Sequence, residues 1–417
     1  MSQDTERVAV MGGARTPFAK AGTRLKEHTA LELGTHSVDG VLAKLDLDPA
    51  LVDRLVYGIV TIDARVPHLA REVNFSSQLP DSVRSVTVTD NCITSITAIE
   101  SVADAIAGGR SRVGIAGGVE SMSNPSVLWS RNATRVLSDL RGAKTIRDRA
   151  GILARLRPGD FVPKPPGVTE PSTGLSMGEH TEITVKEWGI SRSEQDQIAY
   201  LSHMNAAAAT EDGRLTAEIH PLDGIDSDTI IRPNTTMEKL SKLNPVFDPS
   251  PAGTLTAGNS SPLTDGAASV VLMAEAAAQE HGYEPLAFIK AIEFAAISPD
   301  DGLLMGPGVA VPRMLHRVGM SLDDFDLIEM HEAFGGQVAS NLAAWEQGWK
   351  EDPIGKVDRD KLNQLGGSIA IGHPFAATGA RIVTQLANEM ARRNARYGLV
   401  SICGAGATAA AMILERK

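Results

Sequence analysis

Short runs of β-branched and apolar residues alternate along this chain with longer stretches in which apolar positions recur every three or four residues. Arg7 to Met11 reads as a strand leading into the turn-rich Gly12-Gly13-Ala14-Arg15-Thr16-Pro17-Phe18. Residues 29–45 carry helical spacing through Leu31, Leu33, Val38, Val41, Leu42 and Leu45, and Leu55 to Val60 is a second buried strand. Val86-Thr87-Val88-Thr89 is short and β-branched, as strands are. From Cys92 the period changes: Ile96, Ile99, Val102, Ala103 and Ile106 recur at helical spacing until Gly108-Gly109 stops the run. Val113 to Gly118 is a strand ending in paired glycines, residues 176–212 predict helix, and 220–260 predict loop. Ala268 to Met273, Phe288 to Ile292, Asp326 to Met330 and Tyr397 to Cys403 read as strands, with a helix beginning near Pro374. Strands alternating with helices predict an α/β layer fold with a parallel sheet. Each half delivers a cysteine from a strand to a glycine-bearing turn, which suggests two duplicated halves rather than a short-period solenoid.

Composition narrows the class. With 417 residues, 42% of them hydrophobic, the chain can bury a large core, and its length suggests roughly two or three domains. A net charge of -11 argues against a nucleic-acid binder. Cys92 and Cys403 are the only cysteines, so there is no disulfide framework. The polar, acidic start Met1-Ser2-Gln3-Asp4-Thr5-Glu6-Arg7 is unlike a signal peptide, and no apolar run suffices for a membrane span. A cytoplasmic location is expected. One stretch departs from the acidic average: Arg131 to Lys164 holds nine Lys/Arg against three Asp, interleaved with Trp129, Leu137, Leu140, Ile146, Ile152, Leu153, Leu156 and Phe161. It reads as a basic amphipathic excursion, which leaves a solvated face, a membrane-surface contact, a partner subunit or attraction of an anionic substrate all open. Pro163 to Pro171 follows as a Pro-rich bend.

The reactive side chains fall where strands give way to turns. Cys92 sits at a strand-to-helix junction, where unpaired N–H groups and the helix dipole favour an anion and lower a thiol's pKa. A lone cysteine in an apolar region is more often buried and inert. Here, however, three further positions share its placement: His331, after Asp326 to Met330; His373, in Gly372-His373-Pro374; and Cys403, in Cys403-Gly404-Ala405-Gly406. Ligands of open α/β sheets bind beyond the carboxyl ends of strands, so these four can converge to supply a nucleophile, its base, a second thiol and an imidazole.

With these motifs in place the chain resembles the thiolases, and most of all the thiolase (β) subunits of fatty-acid-oxidation trifunctional complexes. The matching residues run from Ala14-Arg15-Thr16-Pro17-Phe18 through Asn91-Cys92, Gly117-Gly118-Val119-Glu120-Ser121-Met122-Ser123 and Ser176-Met177-Gly178. They continue through Thr256-Ala257-Gly258-Asn259-Ser260-Ser261, Asp265-Gly266-Ala267, His331-Glu332-Ala333-Phe334, Gly372-His373-Pro374 and Cys403-Gly404-Ala405-Gly406. The resemblance implies a thiolase-like α/β fold of two similar βαβ-rich halves, residues 1–122 with 251–278 and residues 279–417, with a loop domain at 123–250 inserted in the first half.

It also implies roles. Cys92 would attack the 3-keto carbon of a 3-ketoacyl-CoA, His373 would take its proton, and Cys403 would act as general acid and base on the acetyl-CoA enolate. The enolate oxygen would be held by His373 and a water on His331, and the tetrahedral oxyanion by the N–H groups of Cys92 and Ala405, each donor contributing about 3 kcal/mol. Ser261 would bind the pantetheine arm, Arg232 the adenine-diphosphate end of CoA, and Met177 would line the acyl pocket. CoA is then a substrate, with no metal or redox cofactor. Expected partners are CoA thioesters, a second copy of the chain in a homodimer or dimer of dimers, a hydratase/dehydrogenase subunit, and a membrane surface at Arg131–Lys164. Three departures stand out: His331 where many thiolases have Asn, Ala407 where Gly is common, and Pro262 in place of the usual Gly. An acetoacetyl-CoA-forming acetyltransferase, a non-catalytic CoA- or lipid-binding protein and a ketoacyl synthase are the rival readings; the last two would be expected to lack part of the Cys92, His373, Cys403 set.

Overall fold

The computed structural model describes residues 6–163, 167 and 169–417. Lys164, the end of the basic stretch, part of the Pro163–Pro171 bend and the first five residues of the acidic N-terminus lie outside the described residues. By its contacts the chain divides into a main body (residues 1–60, 68–124 and 169–417) and a small unit (61–67 with 125–168). Residues 169–250 therefore pack with the main body.

Among the described residues the body is built on ten strands: β1 Val8–Arg15, β2 Ala19–Lys20, β3 Arg54–Gly58, β4 Arg84–Val88, β5 Val113–Glu120, β6 Thr264–Ala274, β7 Ala287–Ala296, β8 Leu327–Met330, β9 Tyr397–Gly404 and β10 Thr408–Glu415. Their order is β4-β3-β5-β6-β1-β7-β10-β9-β8, with the short β2 on β6. The pairing is mixed rather than parallel. Only β3–β4, β3–β5 and β8–β9 are parallel; β1–β6, β5–β6, β1–β7, β7–β10 and β9–β10 are antiparallel. The reason is connectivity. β8 reaches β9 through helices and runs parallel to it, but β9 returns directly into β10 through a three-residue turn, and such a turn can only make an antiparallel pair.

Outward from the β1–β7 junction the two directions repeat one pattern. β1, β6, β5, β3 on one side and β7, β10, β9, β8 on the other each run antiparallel, antiparallel, parallel. The two similar halves expected from the sequence take this form, with β4 as an extra edge strand on the first.

Helices cover the sheet where the periodicity placed them. Ala30–Leu45 begins at a Thr29/Glu32 capping box and buries Leu33, Val38, Val41 and Leu42. The predicted 176–212 helix is two, Met177–Glu187 and Arg192–Glu211, separated at Gly189, whose φ of 65° ends the first. The 220–260 loop holds one short helix, Met237–Ser241. In the second half a continuous apolar core joins Phe325, Trp345, Leu399 and Ile413 around Cys403.

In the small unit, helices Arg131–Gly142 and Ile146–Leu153 and the turn Pro158–Phe161 confirm a helical excursion. Ala133 and Val136 are buried, and Asp160 joins the pieces by accepting from Ser130 Oγ, Asn132 Nδ2 and the Arg157 N–H. Leu128, Trp129, Leu137, Ile146, Phe161 and Val162 are each at least half exposed.

Candidate active site

Cys92 lies in a single 3₁₀ turn, Asn91–Ile93, between β4 and the helix Thr94–Ala107. Thr94 builds that turn, accepting from the Asp90 N–H (2.7 Å) and donating to the Asn91 carbonyl (2.6 Å). Asn91 has a φ of 47°, in the left-handed region that non-glycine residues adopt at some cost. Its side chain donates to the Ala405 carbonyl (3.0 Å), which ties the nucleophile's turn to the β9–β10 turn carrying Ala405.

The expectation of a lowered thiol pKa at this junction is corrected. Burial pushes the Cys92 thiol up to about 12, reinforced by the nearby Glu120 carboxylate, and hydrogen bonds from the backbone of Ala405 and Cys92 offset only part of this. A helix terminus presents about half a charge, which does not balance the loss of water around sulfur. The resting nucleophile is a neutral thiol.

His373 is placed by Gly372, whose φ of 116° suits glycine and whose Cβ, were there one, would press on Thr264. The His373 N–H donates to Thr264 Oγ1 at 3.0 Å. Pro374 is not the first helical residue: a 3₁₀ turn, Phe375–Ala377, intervenes before the helix Thr378–Arg393. This turn is held against the Cys92 helix by Ser95 Oγ donating to the Ala376 carbonyl, and Gly118 on β5 lacks the Cβ that would strike the same carbonyl.

The imidazole of His373 bridges two partners, Nε2 to Cys92 Sγ at 3.1 Å and Nδ1 to Thr378 Oγ1 at 2.7 Å. Thr378 Oγ1 also lies 3.0 Å from the Pro374 carbonyl, which can only accept. Its one proton therefore goes to Pro374, and it accepts from an Nδ1–H. That leaves the Nε2 lone pair facing the Cys92 thiol, as a base requires. Burial, with Arg381 second, lowers the His373 pKa to about 3, so the ring is neutral at rest.

His331 follows β8, its N–H donating to the Ser401 carbonyl at 2.8 Å. Its ring lies 4.1 Å from that of His373, centre to centre. Nδ1 is 2.8 Å from Ser368 Oγ, and Nε2 is buried without a partner. Burial, then His373 and Arg381, hold its pKa well below the ordinary value. Ligand atoms of Cys92, His331 and His373 lie within 4.8 Å of one another, near enough to bear on one substrate oxygen or one cation.

Cys403, at the end of β9, is buried; burial first and the neighbouring Cys92 second raise its thiol pKa well above the ordinary value. Ala405 lies in the following turn. The Gly406 N–H donates to Glu170 Oε2 (2.9 Å), and Ala407 adopts a φ of 57°. That left-handed conformation is a reason for glycine there, and the alanine bears it at roughly 1 kcal/mol.

The sequence thus brings Cys92, His331, His373, Cys403 and Ala405 to one place. Ser261 is adjacent: its N–H donates to the Ala333 carbonyl (2.9 Å), and Leu263, two residues on, bridges to His373. Met177 opens the helix Met177–Glu187 and is partly buried against the second-half core. Arg232 is exposed, and its backbone N–H donates to His203 Nδ1 at 3.2 Å. Glu332 braces the loops, accepting from Ser202 Oγ (2.6 Å), Asn363 Nδ2 (2.7 Å) and the Ile369 N–H (3.3 Å). Sequence reasoning gave no role to Thr378, Ser368 or Arg381; only the position of Thr378 one helical turn after Pro374 hints at its bond to the His373 loop.

Residues 8–276 match the family model of the thiolase N-terminal domain, and residues 283–416 that of the thiolase C-terminal domain. The 3-ketoacyl-CoA thiolase of Colwellia psychrerythraea is 42% identical over 98% of this chain and 97% of its own length. That of Klebsiella pneumoniae is 41% identical over 100% and 98%. Among solved structures, human mitochondrial 3-ketoacyl-CoA thiolase superimposes with a TM-score of 0.85 at 28% identity, covering 99% of this chain and 100% of that one. Bacillus anthracis acetyl-CoA acetyltransferase gives 0.83 at 30% identity, with 99% and 100% covered. The chain belongs to the thiolase family.

Proposed function

We propose that this acyltransferase cleaves 3-ketoacyl-CoA with CoA, releasing acetyl-CoA and an acyl-CoA shortened by two carbons, in fatty-acid β-oxidation. The observation that carries the reading is the contact between the His373 Nε2 lone pair and the Cys92 thiol, 3.1 Å apart, with the second thiol of Cys403 close by. As Cys92 Sγ adds to the 3-keto carbon, its proton passes to His373 Nε2. The C2–C3 bond breaks, its electrons become the acetyl-CoA enolate, and Cys403 protonates C2. CoA then gives its thiol proton to the Cys403 thiolate and attacks the acyl thioester, while Cys92 leaves and recovers the proton from His373. The two thiols and the imidazole return to their starting states.

A neutral Cys92–His373 pair keeps uncompensated charge out of the buried site until an acyl oxygen is present to take it. The N–H groups of Cys92 and Ala405 receive the tetrahedral oxyanion, and His331 and His373 the enolate oxygen. Ser261 and Met177 border the CoA and acyl paths, and Arg232 meets the nucleotide end. CoA enters as substrate, and the chemistry calls for no metal or redox cofactor.

Relatives named 3-ketoacyl-CoA thiolase favour the degradative direction; the likeness to an acetyl-CoA acetyltransferase supports acetoacetyl-CoA synthesis as the second reading. The separating experiment is CoA-dependent loss of 3-ketoacyl-CoA enolate absorbance across acyl lengths, with Cys92→Ala as control. Higher kcat/KM on a long chain supports β-oxidation, and activity confined to acetoacetyl-CoA favours the acetyltransferase.

The small unit is the docking element. Trp129, Leu137, Ile146 and Phe161 expose apolar surface among Arg131, Arg135, Arg141, Lys144, Arg147 and Arg149, the composition of a contact with an acidic partner subunit or anionic lipid. Charge reversal there should abolish co-purification with a hydratase/dehydrogenase subunit or sedimentation with anionic vesicles; retention of both would exclude this role. The working assembly is a homodimer or dimer of dimers in the cytoplasm, and no helix among the described residues is long and apolar enough to cross a membrane.

A further inference from the structure

The His331 ring lies 4.1 Å from that of His373 and carries one partnered nitrogen and one buried nitrogen without a partner among the described residues. Which of them bears the proton decides what His331 does. With Nε2–H it can donate to an oxyanion; with a bare Nε2 it repels that same charge.

The choice is made behind the ring. Arg381, fully buried on the helix Thr378–Arg393, donates from Nη2 to Ser368 Oγ at 2.9 Å. A guanidinium has no lone pair to offer, so Ser368 must accept from it. The serine keeps one proton, and among the described residues the acceptor within reach of Oγ is His331 Nδ1, at 2.8 Å. Spending that proton on Nδ1 leaves His331 as the Nε2–H tautomer.

The Arg381 guanidinium is itself fixed. Nη1 donates to Gln385 Oε1 at 3.3 Å, and Gln385 Nε2 donates to Glu329 Oε2 at 3.1 Å. Glu329 lies on β8, two residues before His331. No carboxylate lies within ion-pair distance of Arg381 among the described residues, so its charge is spread through these hydrogen bonds and repels a proton from both imidazoles.

We infer that Arg381 and Ser368 are positioning residues that set the tautomer of His331, holding its Nε2–H toward the substrate oxygen. The consequence for rate rests on the thiolase reading above; the tautomer does not. A thiolase with Asn in place of His331 would need no such relay, because an amide carries an N–H donor whatever stands behind it.

The test is imidazole nitrogen NMR on the full-length protein labelled at histidine, combined with a double-mutant cycle. The wild type should show His331 as Nε2–H, and Ser368→Ala should shift it toward Nδ1–H. Ser368→Ala should lower kcat roughly 10- to 100-fold with KM for CoA within about threefold, and Ser368→Thr, which keeps the hydroxyl, should restore most of it. In a His331→Asn background Ser368→Ala should cost less than about threefold. An Nδ1–H tautomer in the wild type, or an equal loss from Ser368→Ala in both backgrounds, would overturn the inference. If the wild type proved inactive on every 3-ketoacyl-CoA, the functional reading would fail while the NMR result still decided the tautomer.

Discussion

Thr378→Val isolates the least visible member of the catalytic set. Valine has nearly the shape of threonine, and position 378 is fully buried, so the helix Thr378–Arg393 should keep its packing. What disappears is one oxygen, which accepts the His373 Nδ1–H and donates to the Pro374 carbonyl. Pro374 keeps two backbone donors, the Ala377 N–H at 2.9 Å and the Thr378 N–H at 3.1 Å, so the loop loses little. His373 loses the only partner of Nδ1 among the described residues, and a buried donor left unpaired costs about 1–3 kcal/mol. The ring escapes that cost by turning or by taking the other tautomer, and either removes the Nε2 lone pair from Cys92. At about 1.4 kcal/mol per tenfold, kcat/KM should fall roughly 5- to 150-fold. Thr378→Ser should stay within about threefold of wild type. Both are read by CoA-dependent loss of the enolate absorbance, with a thermal melt to confirm folding. A folded valine variant within twofold of wild type, or a serine variant as slow as valine, would refute the tautomer argument for His373.

The protonation states make two further predictions. Burial raises the Glu329 carboxyl from 4.5 to about 8, so between these values the folded chain holds a proton that the unfolded chain has lost, and stability falls as pH rises through that window, by at most about 5 kcal/mol. Glu329→Gln should match wild type near pH 5 and be more stable by several kcal/mol near pH 8.5 in urea unfolding; a difference independent of pH would contradict this. Alkylation of Cys92 by iodoacetamide should keep rising with pH through about pH 9.5, because the thiol is held above its ordinary range, and a plateau below pH 8 would show a thiolate the structure does not support.

Much of the site is legible in the sequence because its chemistry sits on local signals. The β-branched run before Cys92 and the turn residues around His331, His373 and Cys403 each place one reactive group at the end of an element. The placement of Cys92 is legible and its protonation is not, since a helix terminus is visible in sequence while the shell that raises the thiol pKa is assembled from distant segments. The same distance hides Ser368 and Arg381, which matter through a partner rather than through a motif. The antiparallel returns of β6 and β10 are not legible in the sequence, because apolar strands carry no mark of direction. The left-handed φ of Ala407 explains the departure noted there only once the turn between β9 and β10 is seen.

Everything in the proposed reaction turns on Cys92 carrying the acyl group. The most direct measurement is to mix the protein with a long-chain 3-ketoacyl-CoA in the absence of free CoA, quench in acid, and locate the adduct by peptide mass spectrometry. Cys92 should carry, as a thioester, an acyl group two carbons shorter than the substrate, released by added CoA and absent from His373→Ala. An adduct on Cys403, or none while acetyl-CoA is still formed, would contradict it.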